Sequence, residues 1–188
     1  MKEFDLETKR LRLMPYILED AKEFQLLNND AFIRKYLWDN KIIDAMTADQ
    51  IMEQNIRHFE ENRFGLWKIC LKERETTIGY VGLWYFFNEL QPQLIYALLK
   101  HHTEKGYATE ASSAIVDYAF DELRLDYIIA ATDEPHLASQ KVAQRLGMSI
   151  VEKRVKDDGT IIFYRIQKQE YEINEIIQKM MLQEKEVE

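Results

Sequence analysis

The sequence predicts one α+β domain: a mixed, mostly antiparallel sheet with one parallel strand pair, flanked by helices. Three observations predict it. Short runs rich in aromatic and β-branched residues recur between polar turns, as in an antiparallel sheet. Several helical patterns accompany these runs, so helices pack on the sheet. One such helix, opening just after Gly106, links two nearly all-apolar runs, and a strand–helix–strand crossover of that kind sets its two strands parallel.

Each element has its own signal. Arg10–Met14 alternates polar and apolar residues and predicts a first strand, stopped by Pro15. Asp20–Leu27 predicts a short helix, broken by Asn28-Asn29-Asp30. Thr47 predicts an N-cap, with Gln50 at the capping-box position, for a helix reaching about Glu61. Phe64–Leu71 and Thr77–Phe87 predict strands around the polar turn Lys72-Glu73-Arg74-Glu75. Leu94–Leu99 and Tyr127–Thr132 predict strands buried on both faces, since apolar residues fill both sides. Between them Ala111, Ala114, Ile115, Tyr118, Ala119 and Leu123 recur at helical spacing. A second helix, His136–Leu146, is stopped by Gly147, suited to the left-handed C′ position. Ile150–Val155 and Thr160–Ile166 predict a hairpin turned by Asp157-Asp158-Gly159. The pattern divides the chain into a domain at 1–168 and a C-terminal amphipathic helix and tail at 169–188, marked by Tyr171, Ile173, Ile176, Ile177 and Met180.

Composition narrows the function. With 188 residues and 46% hydrophobic content the chain can bury a proper core. A net charge of −8 argues against nucleic acid and anionic membrane as partners, because no positive field attracts polyanions. The one cysteine, Cys70, lies in a strand-like run and reads as a buried apolar side chain more readily than as a catalytic thiol. A lone cysteine forms no internal disulfide, and no run is long and apolar enough to cross a bilayer, so a soluble cytoplasmic domain is the expectation.

The stretch Lys105-Gly106-Tyr107-Ala108-Thr109-Glu110-Ala111 carries most chemical information. A strand that runs into a glycine-bearing turn and a helix N-terminus makes an anion site, where unpaired N–H groups and the positive end of the helix dipole point outward together. Small residues at Gly106 and Ala108 let a phosphate approach that backbone.

This stretch, followed by a strand and then Ala138-Ser139-x-x-x-Ala143-x-x-Leu146-Gly147-Met148, resembles the GNAT superfamily of N-acetyltransferases. Thr8-Lys9-Arg10-Leu11-Arg12-Leu13 and Ile78-Gly79-Tyr80-Val81-Gly82-Leu83 are similar to its ribosomal-protein-alanine acetyltransferase-like branch. The resemblance covers roughly Phe4 to Gln167 and implies a GNAT fold whose parallel pair, Leu94–Leu99 and Tyr127–Thr132, splays open to admit acetyl-CoA as co-substrate, without a metal. It implies that Thr103 opens the phosphate loop and that Glu104, Lys105, Gly106, Tyr107 and Ala108, with Thr109 just inside the helix, cradle the CoA pyrophosphate. Leu98 and Leu99 would pair their backbone with the pantetheine amides, and a bulge there would offer an N–H to the thioester carbonyl. His136 takes the place of the family's cofactor-bonding asparagine, and Ser139 is the candidate acid for the departing thiolate. The family attacks directly, without an acyl-enzyme, so Cys70 is not needed. Glu89, His101 and His102 are candidates for the base, as is water.

The implied reaction is acetyl transfer to a primary amine, either a protein N-terminus or a small molecule. Its selectivity would come from Phe32–Trp38, Trp67 and Trp84-Tyr85-Phe86-Phe87. Three departures from the family pattern support a rival reading, a degenerate domain that binds acyl-CoA or a protein partner without turnover. Glu104 stands where glycine is usual, His136 replaces asparagine, and Ala143 occupies the place of the tyrosine acid found in many relatives. The aromatic-rich strands and the C-terminal amphipathic segment suit a third reading, a purely structural dimerisation domain, and with it a homodimer.

Overall fold

The computed structural model describes residues 2–74, 76–87, 90–157, 159–174 and 176. The chain divides into two compact units, Met1–Val116 and Asp117–Glu188.

The first unit carries five antiparallel strands in sequence order: β1 (Leu6–Glu7), β2 (Leu11–Pro15), β3 (Leu66–Leu71), β4 (Thr76–Trp84) and β5 (Gln93–Leu98). β2 buries Leu11, Leu13 and Pro15 in strict alternation, and Pro15 is its last residue instead of its terminator. β4 is the buried centre: Ile78 through Leu83 are all covered. Gly79 and Gly82 are required there, because a Cβ at Gly79 would run into Ala97 O and one at Gly82 into Gly65 O.

Three helices, α1 (Ala21–Asn28), α2 (Ala31–Leu37) and α3 (Ala45–Asn62), supply much of the core together with Tyr16, Leu66, Tyr80 and Ala97. Asn55 of α3 ties this layer to the sheet, accepting from Leu66 N at 2.6 Å and donating to Tyr16 O at 3.0 Å. α3 begins earlier than expected, because the carboxylate of Asp44, not the Thr47 hydroxyl, caps it and accepts the Thr47 N–H at 2.8 Å. α2 is absent from the sequence-based expectation. The triplet that marks a break does more than end α1. Asn28 Oδ1 accepts from Tyr80 Oη at 2.9 Å and from Trp38 Nε1 at 2.8 Å. Asn29 brackets Ile43, and Asp30 caps α2 through the N–H groups of Phe32 and Ile33.

α4 (Tyr107–Asp121) begins in the first unit and ends in the second. The second unit holds β6 (Tyr127–Asp133), α5 (Leu137–Arg145), β7 (Ser149–Lys156) and β8 (Gly159–Gln167), its strands ordered β6-β8-β7 and antiparallel. β6 buries Ile128 and Ala130 and leaves Tyr127, Ile129 and Ala131 half-buried, so only one face is fully covered, contrary to expectation. Gly147 ends α5 as expected, in the left-handed region at φ 79°. Residues 168–174 are helical. Tyr171 packs on Phe120 and donates to Asp117 Oδ1 at 2.9 Å, whereas Ile173 and Ile176 stand exposed. Ile177 and Met180 lie outside the described residues.

Candidate active site

β5 leads into the site. Its register with β4 runs unbroken from Trp84↔Gln93 to Gly79↔Leu98, so the expected bulge is not formed there. Leu99 N–H donates to Ile78 O at 2.9 Å, which removes it as a donor to a ligand. Alternation along an antiparallel strand then turns the N–H and C=O of Leu98 to the opposite edge of β5. Of the two residues expected to offer backbone groups, Leu99 spends its N–H on Ile78, and Leu98 turns its own groups away from β4.

A short 3₁₀ turn, Lys100–His102, follows, closed by Thr103, whose hydroxyl donates to Lys100 O at 2.7 Å. Two left-handed residues come next, Glu104 at φ 61° and Gly106 at φ 81°. Gly106 is glycine for its backbone first, since a φ this positive disfavours a side chain. Glu104 adopts its left-handed φ without that freedom, and its exposed side chain lies outside the core. α4 begins at Tyr107, and the Glu110 N–H bonds Gly106 O at 3.0 Å. The amides of Tyr107, Ala108 and Thr109 thus precede the helical ladder, as an anion site requires. His102 Nδ1, Thr109 Oγ1 and Ser112 Oγ, all within this stretch, are buried without a partner among the described residues.

The outer side of this loop is held by residues that sequence reasoning did not place at the site. Arg10 donates from Nη1 to Lys105 O at 3.0 Å and from Nε to Glu110 Oε2 at 2.6 Å, with its guanidinium 4.4 Å from the centre of the Tyr107 ring. Arg10 N and Thr8 Oγ1 both donate to Glu110 Oε1, at 2.8 and 2.6 Å. Burial alone would raise the Glu110 carboxyl, but the hydrogen bonds from Thr8 and Arg10 outweigh it and hold the group below the usual carboxylate range. No spacing rule links residues a hundred positions apart. The only sequence signals were a glutamate in a first helical turn and an arginine beside a strand.

In the second unit, His136 precedes α5 as its N-cap residue, and its carbonyl accepts the Ser139 N–H at 3.0 Å. Both side chains are half-buried. Ala143 is buried one turn further on, part of the core.

The remaining candidates separate. His102 lies tilted against His101 and Tyr107, and its own burial, with His101, Lys105 and Arg74 nearby, lowers its pKa. Cys70 is buried as expected, with its thiol pushed up by that burial, so it is a poor nucleophile. Trp67 is fully buried and bonds Phe4 O at 2.7 Å, so it belongs to the core and not to an acceptor surface. β4 ends at Trp84, which stacks on His58 at 4.5 Å; Tyr85 and Phe87 are partly exposed, Tyr85 with its ring against His58 and Phe64. Glu89 lies outside the described residues. Among the described residues no cluster of metal-ligating side chains occurs, and no helix is long and apolar enough to cross a membrane.

Comparison with known proteins gives this arrangement its context. The chain is 24% identical over 143 residues to an uncharacterized N-acetyltransferase, YnaD, of Bacillus subtilis, covering 76% of this chain and 81% of that protein. An acetyltransferase from Agrobacterium tumefaciens superposes with a TM-score of 0.75 at 22% identity, over 87% of this chain and 94% of that one. A ribosomal L7/L12 alpha-N-protein acetyltransferase in complex with coenzyme A gives 0.72 at 13% identity, over 85% and 95%. These likenesses bear out the predicted fold class, an α+β GNAT fold. The model of the acetyltransferase (GNAT) domain matches residues 10–149, which takes in Arg10, the Gly106 loop and Ser139. The chain therefore belongs to the GNAT family and is an N-acetyltransferase.

Proposed function

We propose that this chain moves the acetyl group of acetyl-CoA to a primary amine by direct attack, with residues 1–168 as the catalytic domain and 169–188 as a C-terminal helix and tail. The observation that carries the reading is the turn from Glu104 to Thr109. Its two left-handed residues and the free first turn of α4 supply backbone donors suited to a pyrophosphate, in a chain of this family. Buried, unpartnered Thr109 Oγ1 is a further group that a phosphate oxygen would satisfy.

Acetyl-CoA would supply the activated thioester. The chain's own groups then have defined tasks. The loop amides and Thr109 hold the phosphates, and Leu98 offers the backbone N–H and C=O groups that it turns away from β4 to the pantetheine arm. His136 donates to that arm. The Ser139 hydroxyl gives its proton to the sulfur as the carbon–sulfur bond breaks and regains one from solvent, while the amine nitrogen, having formed the new carbon–nitrogen bond, loses a proton to water or to His102. Exposed Tyr85 and Phe87 are offered to the acceptor.

The acceptor is a protein N-terminus or a small-molecule amine. The ribosomal-protein-alanine acetyltransferase-like branch is supported by the pattern Thr8–Leu13, and a cytoplasmic location by a sequence whose single cysteine forms no internal disulfide. Calorimetric titration with acetyl-CoA checks the cofactor: saturable 1:1 binding is the outcome expected, and absence of both heat and thermal shift would sink the reading.

A further inference from the structure

We propose that Arg10 is a positioning residue for acetyl-CoA: by holding the Lys105 carbonyl it aims the Gly106 amide at the phosphates. The inference rests on the reading of the Glu104–Thr109 turn as the pyrophosphate cradle. In a trans peptide the C=O and the following N–H point in opposite directions. Lys105 O is bonded to Arg10 Nη1 at 3.0 Å, so the Gly106 N–H is turned away from Arg10. The same guanidinium is fixed by Glu110 Oε2 at 2.6 Å and by the face of Tyr107, so the first turn of α4 and the carbonyl ahead of it are held by one rigid fork.

The fork is anchored in turn. Glu110 Oε1 takes the Arg10 main-chain N–H and the Thr8 hydroxyl, and Thr8 Oγ1 accepts the Leu11 N–H at 3.0 Å, at the first residue of β2. β2 therefore sets the loop from the side opposite to the one its amides address. A Cβ at Gly106 would come within 3.3 Å of Arg10 Nη2, so the glycine also keeps the fork close to the turn. With Nε and Nη1 committed to Glu110 and Lys105, Arg10 acts through the peptide plane and not by touching phosphate. Lysine keeps the charge but cannot bond both partners in fixed directions.

The test uses the full chain as wild type, Arg10→Ala, Arg10→Lys and Glu110→Gln. Three quantities are measured: the Kd for CoA by calorimetry, the melting temperature without ligand, and CoA-induced protection from amide exchange over residues 104–109. Arg10→Ala and Arg10→Lys should weaken CoA roughly tenfold and lose the protection at Gly106–Thr109, with Glu110→Gln a milder case in the same direction. Arg10→Lys should restore the melting temperature without restoring affinity. If Arg10→Lys restores both, or Arg10→Ala binds as the wild type does, the role is structural only and the inference falls while the cradle stands. If wild-type residues 104–109 gain no protection from CoA, the cradle reading falls and this inference with it. Should Arg10→Ala fail to fold, Arg10→Lys and Glu110→Gln carry the same comparison.

Discussion

Glu104 holds a left-handed backbone where the family pattern has glycine, and it does so beside amides proposed to meet a pyrophosphate. A non-glycine residue in this region costs on the order of 1 kcal/mol, partly offset by the entropy that glycine loses on folding. Glu104→Gly should therefore raise stability by about 0.5–1 kcal/mol in urea denaturation, and tighten acetyl-CoA by removing a nearby negative charge. Unchanged affinity would show that this carboxylate does not oppose the phosphates. Ser139 makes a separate prediction. If its hydroxyl protonates the leaving thiolate, Ser139→Ala lowers kcat roughly a hundredfold in a thiol-release assay and leaves KM for acetyl-CoA nearly unmoved; a rise in KM alone would make it a binding residue. Glycine and serine positions of this kind are legible in sequence because motif spacing marks them. Arg10 and Glu110 are not, because only the folded chain brings residues a hundred apart within 2.6 Å.

At the scale of elements, two polar contacts decide how strands and helices meet. Asn55 joins α3 to β3 and to the end of β2. Asn55→Ala would leave the Leu66 N–H and the Tyr16 carbonyl short of a partner in the core, for a loss of about 2–3 kcal/mol in chemical denaturation. Glu110 joins α4 to the Thr8–Arg10 segment, and its depressed pKa fixes a sign. Its stabilising contribution is fully present above its unfolded-state pKa and is lost as pH falls through the lower folded value. The melting-temperature gap between wild type and Glu110→Gln should thus be wide at neutral pH and close in acid; a gap independent of pH would contradict the ion pair's role. Strands and long helices were legible from periodicity, while boundaries moved where side chains competed for the same backbone. Asp44 displaced Thr47 as the cap of α3 because its carboxylate is the stronger acceptor. α2 went unseen because Asn28-Asn29-Asp30 reads as a breaker until its three side chains are seen holding Tyr80 and Trp38, Ile43, and the α2 amides.

At the scale of the whole molecule, the family match and the fold make the chain a GNAT N-acetyltransferase, and the loop geometry supports the proposed use of CoA. A ligand bound only by the folded state stabilises it by about 2.7 kcal/mol at a hundred times its Kd. Acetyl-CoA at that level should raise the melting temperature by roughly 5–10 °C for a chain of this size. A net charge of −8 suits a cationic amine better than an acidic one, although it does not choose between a peptide and a small molecule. The most direct measurement is amine-dependent release of the CoA thiol, followed over peptide N-termini and small amines, with the acetylated product identified by mass spectrometry. The account predicts thiol release in step with N-acetylation of at least one amine class, reduced in Ser139→Ala. Acetyl-CoA binding with no acetylated amine across the panel, or thiol release equal in Ser139→Ala and wild type, would contradict it.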